Sequence, residues 1–306
     1  MFFRKKKEDR ELSPEEKIKI LNEKMQRTRS LTGIAGKLCF IIAVCMSLFH
    51  LYASGIQMLP QFQHRAIHLA FALGLTFFIY PAGQKDKDKI PWFDVLSIVF
   101  CLGVGAYLTL DYMNIVFRAG DPIMRDLVLG GITIFIVLEA TRRTMGWPLV
   151  IVAVTFLLYA VFGHLIPGDL GHRQFGLARI VEHLFLTSEG IYGVAIYVTA
   201  TFVFMFILLG AFLAETGGAQ SFIDLAFSLT GKYRGGPAKA AVVASGIMGT
   251  ISGSSFANVA GTGTFTIPLM KSVGYKPEFA GGVEAASSAG GQIMPPIMGA
   301  AAFIMA

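Results

Sequence analysis

Six apolar runs, each near the length of a membrane-spanning helix, constrain this chain more than any other feature. A helix rises about 1.5 Å per residue, so about 20 apolar residues cross the roughly 30 Å hydrocarbon layer of a bilayer. The composition agrees, because 54% of the 306 residues are hydrophobic and only 15% are charged. We therefore predict an all-α polytopic membrane protein. The predicted spans are Leu38–Leu59, Ala66–Gly83, Trp92–Leu110, Asp126–Ala140, Trp147–Ile166 and Ile191–Ala214.

The positions of the basic residues predict how these spans are oriented. Residues 1–30 form a charged tail, and its Ser13-Pro14-Glu15-Glu16 signal predicts a short surface helix over Ser13–Arg27. Lys and Arg also cluster after the second, fourth and sixth spans, as they do in cytoplasmic loops. We expect a multi-pass protein of the inner membrane with a cytoplasmic N-terminus. This placement explains the net charge of +6 without nucleic acid as a partner.

The segment HRQFGLARIVEHLFLTSEG, between the fifth and sixth spans, is too polar to cross a bilayer. Its apolar residues Leu177, Val181, Leu184 and Phe185 recur at the spacing of one helix face. The segment therefore predicts an amphipathic helix at the membrane interface.

The stretch GIMGTISGSSFANVAGTGTFTIPLMK, residues 246–271, interrupts an apolar segment with hydroxyl, amide and glycine residues. Helical arms of about 12–16 residues reach only about 18–24 Å, so region 236–270 predicts a re-entrant helical hairpin. Irregular backbone at membrane depth persists only when it is buried in protein or lines a water-filled cavity. Ser252, Ser254, Ser255 and Asn258 offer uncharged oxygen atoms, which suit a small monovalent cation such as Na⁺.

A second break is predicted in region 277–306, where GVEAASSAGGQIMPPIMGAAAF contains paired glycines and paired prolines. Secondary transporters use such neighbouring discontinuities to hold ions and substrate near the membrane midplane. Close helix packing is the alternative explanation for each small residue taken singly. Glu284 lies between the two breaks, either as a candidate for ion or proton coupling or as a solvated residue near the cytoplasmic end of its helix.

The run GTISGSSFANVAGTGTFTIPLMKSVGYKPEFAGGVEAASSAGGQIMPP resembles the large membrane component of TRAP (tripartite ATP-independent periplasmic) transporters. The string QIMPPIMGAAAFIMA is similar to the fused permeases that work with TAXI-type binding proteins. The resemblance implies Na⁺-coupled import of a small organic acid by an elevator-like transport domain. It also implies a first sodium site made by side chains of the hairpin and backbone carbonyls of the second break, at Ser252, Ser254, Ser255, Asn258, Gly291, Met294 and Pro296.

The same resemblance divides the chain into three parts. After the tail, residues 31–146 would be a four-helix domain like the small membrane component, and residues 147–306 the first part of the large one. The family has a second inverted repeat with its own hairpin and sodium site, so we expect this chain to be a fragment that does not transport alone. The implied partners are a periplasmic TAXI-type solute-binding protein, membrane lipids and the organic-acid substrate, with Na⁺ as coupling ion and no permanently bound cofactor.

Two other functions fit parts of the sequence. Ser252 or Ser254 in a glycine-rich turn could serve an intramembrane serine hydrolase, but no histidine follows His183 and GTISG departs from GxSxG. An ion channel would require current that is independent of substrate. An ATP-driven pump is disfavoured, because the sequence contains no GxxxxGK[ST] motif. We predict that the chain is not an enzyme.

Overall fold

The computed structural model describes residues 28–29, 31–83, 90–230, 233, 235–295 and 298–305. The surface helix predicted over Ser13–Arg27 lies outside these residues. All regular elements in the described ranges are helices. They are α1 (Gly33–Gly55), α2 (Gln61–Ile79), α3 (Trp92–Leu110), α4 (Tyr112–Phe117), α5 (Met124–Thr144), α6 (Trp147–Phe162), α7 (Leu177–Leu186), α8 (Val194–Val198), α9 (Phe204–Glu215), α10 (Gly218–Thr230), α11 (Gly236–Ser252), α12 (Ser255–Ser272), α13 (Pro277–Ala289) and α14 (Ala300–Met305).

Shorter helical turns connect some of these elements. A 3₁₀ turn at Gly163–Leu165 continues α6, and another at Gly290–Gln292 continues α13. A π-helical turn at Thr199–Val203 joins α8 to α9. Such π-helical turns occur often at functional sites, and this one lies within the sixth predicted span.

Four helical stretches in the described part of the chain are long and apolar enough to cross a membrane, at Gly33–Gly55, Trp92–Leu110, Trp147–Leu165 and Val194–Leu213. They correspond to the first, third, fifth and sixth predicted spans. The second and fourth predicted spans also form helices, α2 and α5, but they do not meet the same measure of length and hydropathy. Both carry polar residues that the fold buries, such as His68 on α2 and Asp126 on α5.

The largest apolar core lies around α2, which packs against α3, α5 and the segment after α7. Phe77 of α2, Leu108 of α3, and Phe185 and Tyr192 from the region of α7 are all buried in it. Gly105 permits the close contact of α2 and α3, since a Cβ at that position would lie 2.5 Å from the Cβ of Ala70. This core therefore includes residues from both sides of the predicted domain boundary at 146.

The helices α11 and α12 form an antiparallel pair, and α13 packs against both. Ala241 of α11, Met270 of α12 and Ala280 of α13 are buried together at one end of this group. The arms contain 17 and 18 residues, which corresponds to about 26 Å each at the rise of a regular helix. Each arm is thus shorter than the roughly 30 Å hydrocarbon layer, and entry of the pair into the membrane from one side remains a prediction.

Candidate functional site

The turn between α11 and α12 has a local cause in its sequence. Helix α11 ends at Ser252 because Gly253 adopts the left-handed conformation, with φ of 57°. The hydroxyl of Ser252 donates to the carbonyl of Ser254 at 3.3 Å, and the same carbonyl accepts from the backbone N–H of Asn258 at 2.9 Å. The polar residues of the predicted hairpin tip therefore lie in the turn and in the first turn of α12.

This turn lies against the break that follows α13. Gln292 Nε2 donates to Ser255 Oγ at 3.0 Å. The backbones also meet, since a Cβ on Gly249 of α11 would lie 2.7 Å from the Cα of Gly291. Glycine at position 249 permits this approach, and a Cβ on Gly291 would lie 3.3 Å from the Cα of Gly249. The structure thus brings together the two discontinuities that the sequence predicts separately.

Asn258 is the residue with the clearest unfilled bonding capacity in this region. Its side chain is fully buried, and its Nδ2 donates to the carbonyl of Ser245 at 2.8 Å and to Ser245 Oγ at 3.0 Å. These bonds orient the amide, yet its Oδ1 is buried with no hydrogen-bond partner among the described residues. A buried polar atom without a partner costs about 1–3 kcal/mol, so a ligand or water that reaches this oxygen is stabilised there.

The remaining predicted ligand residues lie close to Asn258 or outside the described part of the chain. Gly291 is buried, and a Cβ there would lie 3.0 Å from Asn258 Nδ2. Met294 is half-buried, and its carbonyl accepts from the backbone N–H of Met298 at 3.2 Å. Pro296 lies outside the described residues. The set is therefore assembled around the turn, while direct coordination by its members stays a prediction.

Glu284 is fully buried and lies between α12 and α13. Its carboxylate accepts hydrogen bonds from Thr262, from Thr266 at 2.5 Å and from Ser288 at 3.0 Å. Its burial excludes the solvated position at a helix end that the sequence left open. No salt bridge to this carboxylate occurs among the described residues.

A continuous chain of hydrogen bonds connects Glu284 to Asn258. Ser288 Oγ lies 3.0 Å from Ser245 Oγ, which in turn accepts from Asn258. Charge or hydrogen-bonding changes at Glu284 therefore reach the candidate cation site through two hydroxyl groups.

The sequence-based argument did not single out four polar residues beneath the turn, although their spacing was visible. A spacing of four residues along a helix places them on the same face as other residues of the site. They are Ser245, four residues before Gly249 on α11, Thr262 and Thr266, which follow Asn258 on α12, and Ser288, which follows Glu284 on α13.

Other buried polar groups lie among the first five helices. His50 Nε2 lies 2.9 Å from His68 Nδ1, and Arg29 and Arg143 both pair with Asp94. In the described ranges, no group of three or more His, Cys, Asp or Glu side chains could hold a metal ion. The histidine contact joins α1 to α2, and Asp94 joins α3 to the segment before α1 and to the end of α5.

The comparison with protein families matches the part of the chain that contains the turn and the second break. The sequence profile of the family described as "Tripartite ATP-independent periplasmic transporter, DctM component" matches residues 132–306. The C4-dicarboxylate TRAP transporter large permease protein DctM of Vibrio cholerae is 35% identical over 127 residues, which cover 42% of this chain and 27% of that protein.

Two differently named relatives are similar as well. The isethionate TRAP transporter permease protein DctMQ of Oleidesulfovibrio alaskensis is 32% identical over 153 residues, covering 49% of this chain and 24% of the relative. The sialic acid TRAP transporter permease protein SiaT of Haemophilus influenzae is 36% identical over 92 residues, covering 30% and 15%. The chain thus spans only about a quarter or less of these relatives' length. No solved structure matches it.

Proposed function

Since this chain belongs to the DctM component family of tripartite ATP-independent periplasmic transporters, we propose that it forms part of a sodium-coupled permease for a small organic acid. A separate periplasmic solute-binding protein of the TAXI type would deliver that acid. The chain is a multi-pass membrane permease, and we assign its N-terminus to the cytoplasm. In this proposal residues 31–146 act as the small membrane component and residues 147–306 as the first part of the large one.

The single observation that carries the sodium assignment is the unpartnered Oδ1 of buried Asn258. It lies beside the turn that contains Ser254 and Ser255, in a region that offers hydroxyl, amide and carbonyl oxygens without net charge. Such oxygens are suited to Na⁺ and are poor ligands for transition metals. The helix ends at the turn also leave backbone groups free of intrahelical partners, as in other ion sites of secondary transporters.

The names of the relatives support the chemical class of the substrate. They refer to C4-dicarboxylates, isethionate and sialic acid, all of which are organic acids. The string QIMPPIMGAAAFIMA supports the TAXI-type partner. The serine hydrolase and the ion channel are not favoured, because the relatives are named as permeases.

Uptake into proteoliposomes tests this proposal. The complete gene product is reconstituted with its candidate binding protein, and uptake of labelled organic acid is measured with and without an inward Na⁺ gradient. Uptake that requires both the gradient and the binding protein supports the proposal. Uptake driven by a pH gradient and indifferent to Na⁺ would overturn sodium coupling and transfer the coupling role to Glu284.

Two variants of the complete protein test the cation site directly. We expect Ser254→Ala and Asn258→Leu to weaken apparent Na⁺ affinity by roughly tenfold or more, because each removes an oxygen that would contact a charged group. Asn258→Leu also loses two hydrogen bonds to Ser245, so its thermal unfolding is measured in parallel.

Ser287→Ala is the matched control for the serine variant. Ser287 lies on α13, and among the described residues its hydroxyl bonds only to carbonyls of its own helix, at Val283 and Glu284. It should leave Na⁺ dependence unchanged. An unchanged sodium response in well-folded Ser254→Ala and Asn258→Leu proteins would refute the site assignment.

A further inference from the structure

A crevice of about 590 Å³ opens between α5, α6 and α7, in a region separate from the candidate cation site. Its inner wall is apolar along both long helices. That wall is made by Val137 and Leu138 of α5 and by Ala153, Phe156, Leu157 and Ala160 of α6. A volume of this size accommodates a ligand or part of one, since small-molecule sites occupy about 300–1,000 Å³.

Most of the remaining lining comes from α7 and the segment before it, and it brings cationic side chains. Arg173, Arg179 and His183 all line the crevice. The guanidinium of Arg173 lies over the ring of Phe175, 5.0 Å from its centroid. The side chain of Arg179 is 63% exposed. One wall of the crevice is therefore apolar, and another presents guanidinium groups.

The carboxylate that pairs with Arg179 leaves this guanidinium group with bonding capacity. Glu182 is almost fully buried, and its Oε2 pairs with Arg179 Nη1 at 2.8 Å. Its other oxygen, Oε1, accepts from the backbone N–H of Gly120 at 2.8 Å. Glu182 thus engages only one nitrogen of Arg179, and the rest of that guanidinium can bind an anion.

We propose that this crevice binds an anionic phospholipid, with an acyl chain against α5 and α6 and the phosphate between Arg173 and Arg179. Arginine matches phosphate because its planar fork can donate two hydrogen bonds. A small soluble organic acid would leave the apolar wall uncovered. Lipid tails are as apolar as leucine, so an acyl chain gains little by moving from the bilayer into the crevice. The preference of the crevice for an anionic phospholipid over other lipids must therefore come from the charged headgroup.

Lipid titration of the purified full chain, followed by native mass spectrometry, tests this proposal. We expect phosphatidylglycerol to bind more tightly than phosphatidylethanolamine. Replacing Arg173 and Arg179 by alanine should weaken phosphatidylglycerol binding by roughly fivefold for each arginine. Arg125→Ala is the matched control, because Arg125 is also an exposed arginine, 56% by side chain, paired with a carboxylate, Asp111.

A second pair of variants tests whether the acyl chain enters the crevice. Ala153→Phe fills the apolar wall and should weaken phosphatidylglycerol binding, whereas Val152→Phe, at a neighbouring position that is 54% exposed and outside the lining, should not. An effect of the arginines without an effect of Ala153→Phe would mean surface attraction only and would overturn the proposal.

Two further results would also overturn it. Equal binding of the two lipids would remove the headgroup preference, and displacement of the lipid by soluble glycerol 3-phosphate would identify a site for free phosphate-containing anions. None of these measurements involves Na⁺ or transport, so their outcome is independent of the proposed sodium site.

Discussion

The buried hydroxyl groups around Glu284 can form hydrogen bonds with its carboxyl group in either protonation state. Thr262 Oγ1 also lies 2.9 Å from the carbonyl of Asn258, and Thr266 Oγ1 lies 3.0 Å from the carbonyl of Thr262. A hydroxyl has one proton to donate. When Glu284 is ionised, both threonines donate to it. When Glu284 is protonated, it can donate to one of them, which then donates to its backbone carbonyl. No helix has to move between the two states.

The approach of Gly249 to Gly291 gives a prediction for a single methyl group. Gly249→Ala should destabilise the protein by about 1–3 kcal/mol, the usual cost of an overpacked contact, because the added Cβ meets backbone and cannot be relieved by a side-chain rotation. Thermal unfolding and Na⁺-dependent uptake of the complete protein measure the effect. Gly290→Ala is the control, since a Cβ there meets nothing within 4 Å. Equal stability of the two variants would contradict the close contact.

At the scale of elements, a glycine of α5 permits the close packing of α7 against that helix. A Cβ on Gly130 would lie 2.7 Å from Val181 Cγ1 and 3.0 Å from Phe185 Cβ. Val181 and Phe185 belong to the apolar face that the sequence predicts for this helix. Part of that face packs on a neighbouring helix, because Phe185 is completely buried in the main core, whereas Leu177 is 67% exposed. The position of α7 at the membrane interface remains a prediction.

The two adjacent glycines of α5 provide a matched test of this docking. Gly130→Ala should destabilise the protein by about 1–3 kcal/mol, because it pushes α7 away from α5. Gly131→Ala should be neutral or slightly stabilising, because a Cβ there meets nothing within 4 Å and alanine favours a helix. Unfolding midpoints in a detergent titration compare the two variants. A larger loss of stability in Gly131→Ala than in Gly130→Ala would contradict the close contact of α7 with Gly130.

The segment between α6 and α7 is fixed by His172 in a way that depends on pH. Its two ring nitrogens lie 2.7 Å from the carbonyl of Arg173 and 3.0 Å from the carbonyl of Tyr159. Carbonyl oxygens only accept hydrogen bonds, so both contacts are satisfied only by the protonated ring. These two bonds raise the pKa of His172 above its ordinary value.

Because the pKa of His172 is raised in the folded protein, its contribution to stability decreases as pH rises. The stabilisation by His172 is fully present below the pKa of the unfolded state, about 6.5, and is lost as pH rises through the higher pKa of the folded state. We therefore expect the melting temperature of His172→Gln to differ most from that of the parent at about pH 5.5 and least at about pH 8.5. A difference that is constant or grows with pH would contradict the protonated ring.

At the scale of the whole molecule, one buried aspartate joins segments that are distant in the sequence. Asp94 at the start of α3 pairs with Arg29, which precedes α1, and with Arg143 at the end of α5, whose Nη2 lies 2.8 Å from its Oδ1. Arg29 also donates to the carbonyl of Phe77 in α2 at 2.8 Å. These contacts connect the segment before α1 to α2 and α3, and Asp94 also joins α5 to this group.

Removing this buried charge should be costly. Asp94→Asn leaves two buried arginines without their shared carboxylate, and breaking a buried ion pair costs about 3–5 kcal/mol. The control is Asp111→Asn, in which a carboxylate is also lost between two arginines, Arg118 and Arg125, but at a partly exposed position. Asp111→Asn should lose much less stability, because solvent screens exposed ion pairs. Similar losses of stability in Asp94→Asn and Asp111→Asn, measured by a detergent-unfolding titration, would contradict the stronger contribution of the buried ion pairs.

The sequence by itself determined the helical class, the approximate positions of the helices that form the predicted spans and the two polar breaks. These are local properties, because apolar length, glycine and proline act on the backbone where they occur. It also contained the four-residue spacing of Asn258, Thr262 and Thr266, which places them on one face of α12.

Only the tertiary structure decided which side chains meet. The pairing of Arg29 with Asp94 joins the segment before α1 to α3, and the contact of His50 with His68 and the burial of Glu284 depend on residues of different helices. The spacing within one helix predicts a face but not the helix that covers it. That choice depends on close backbone approaches, such as Gly249 against Gly291, which arise when helices distant in the sequence pack together.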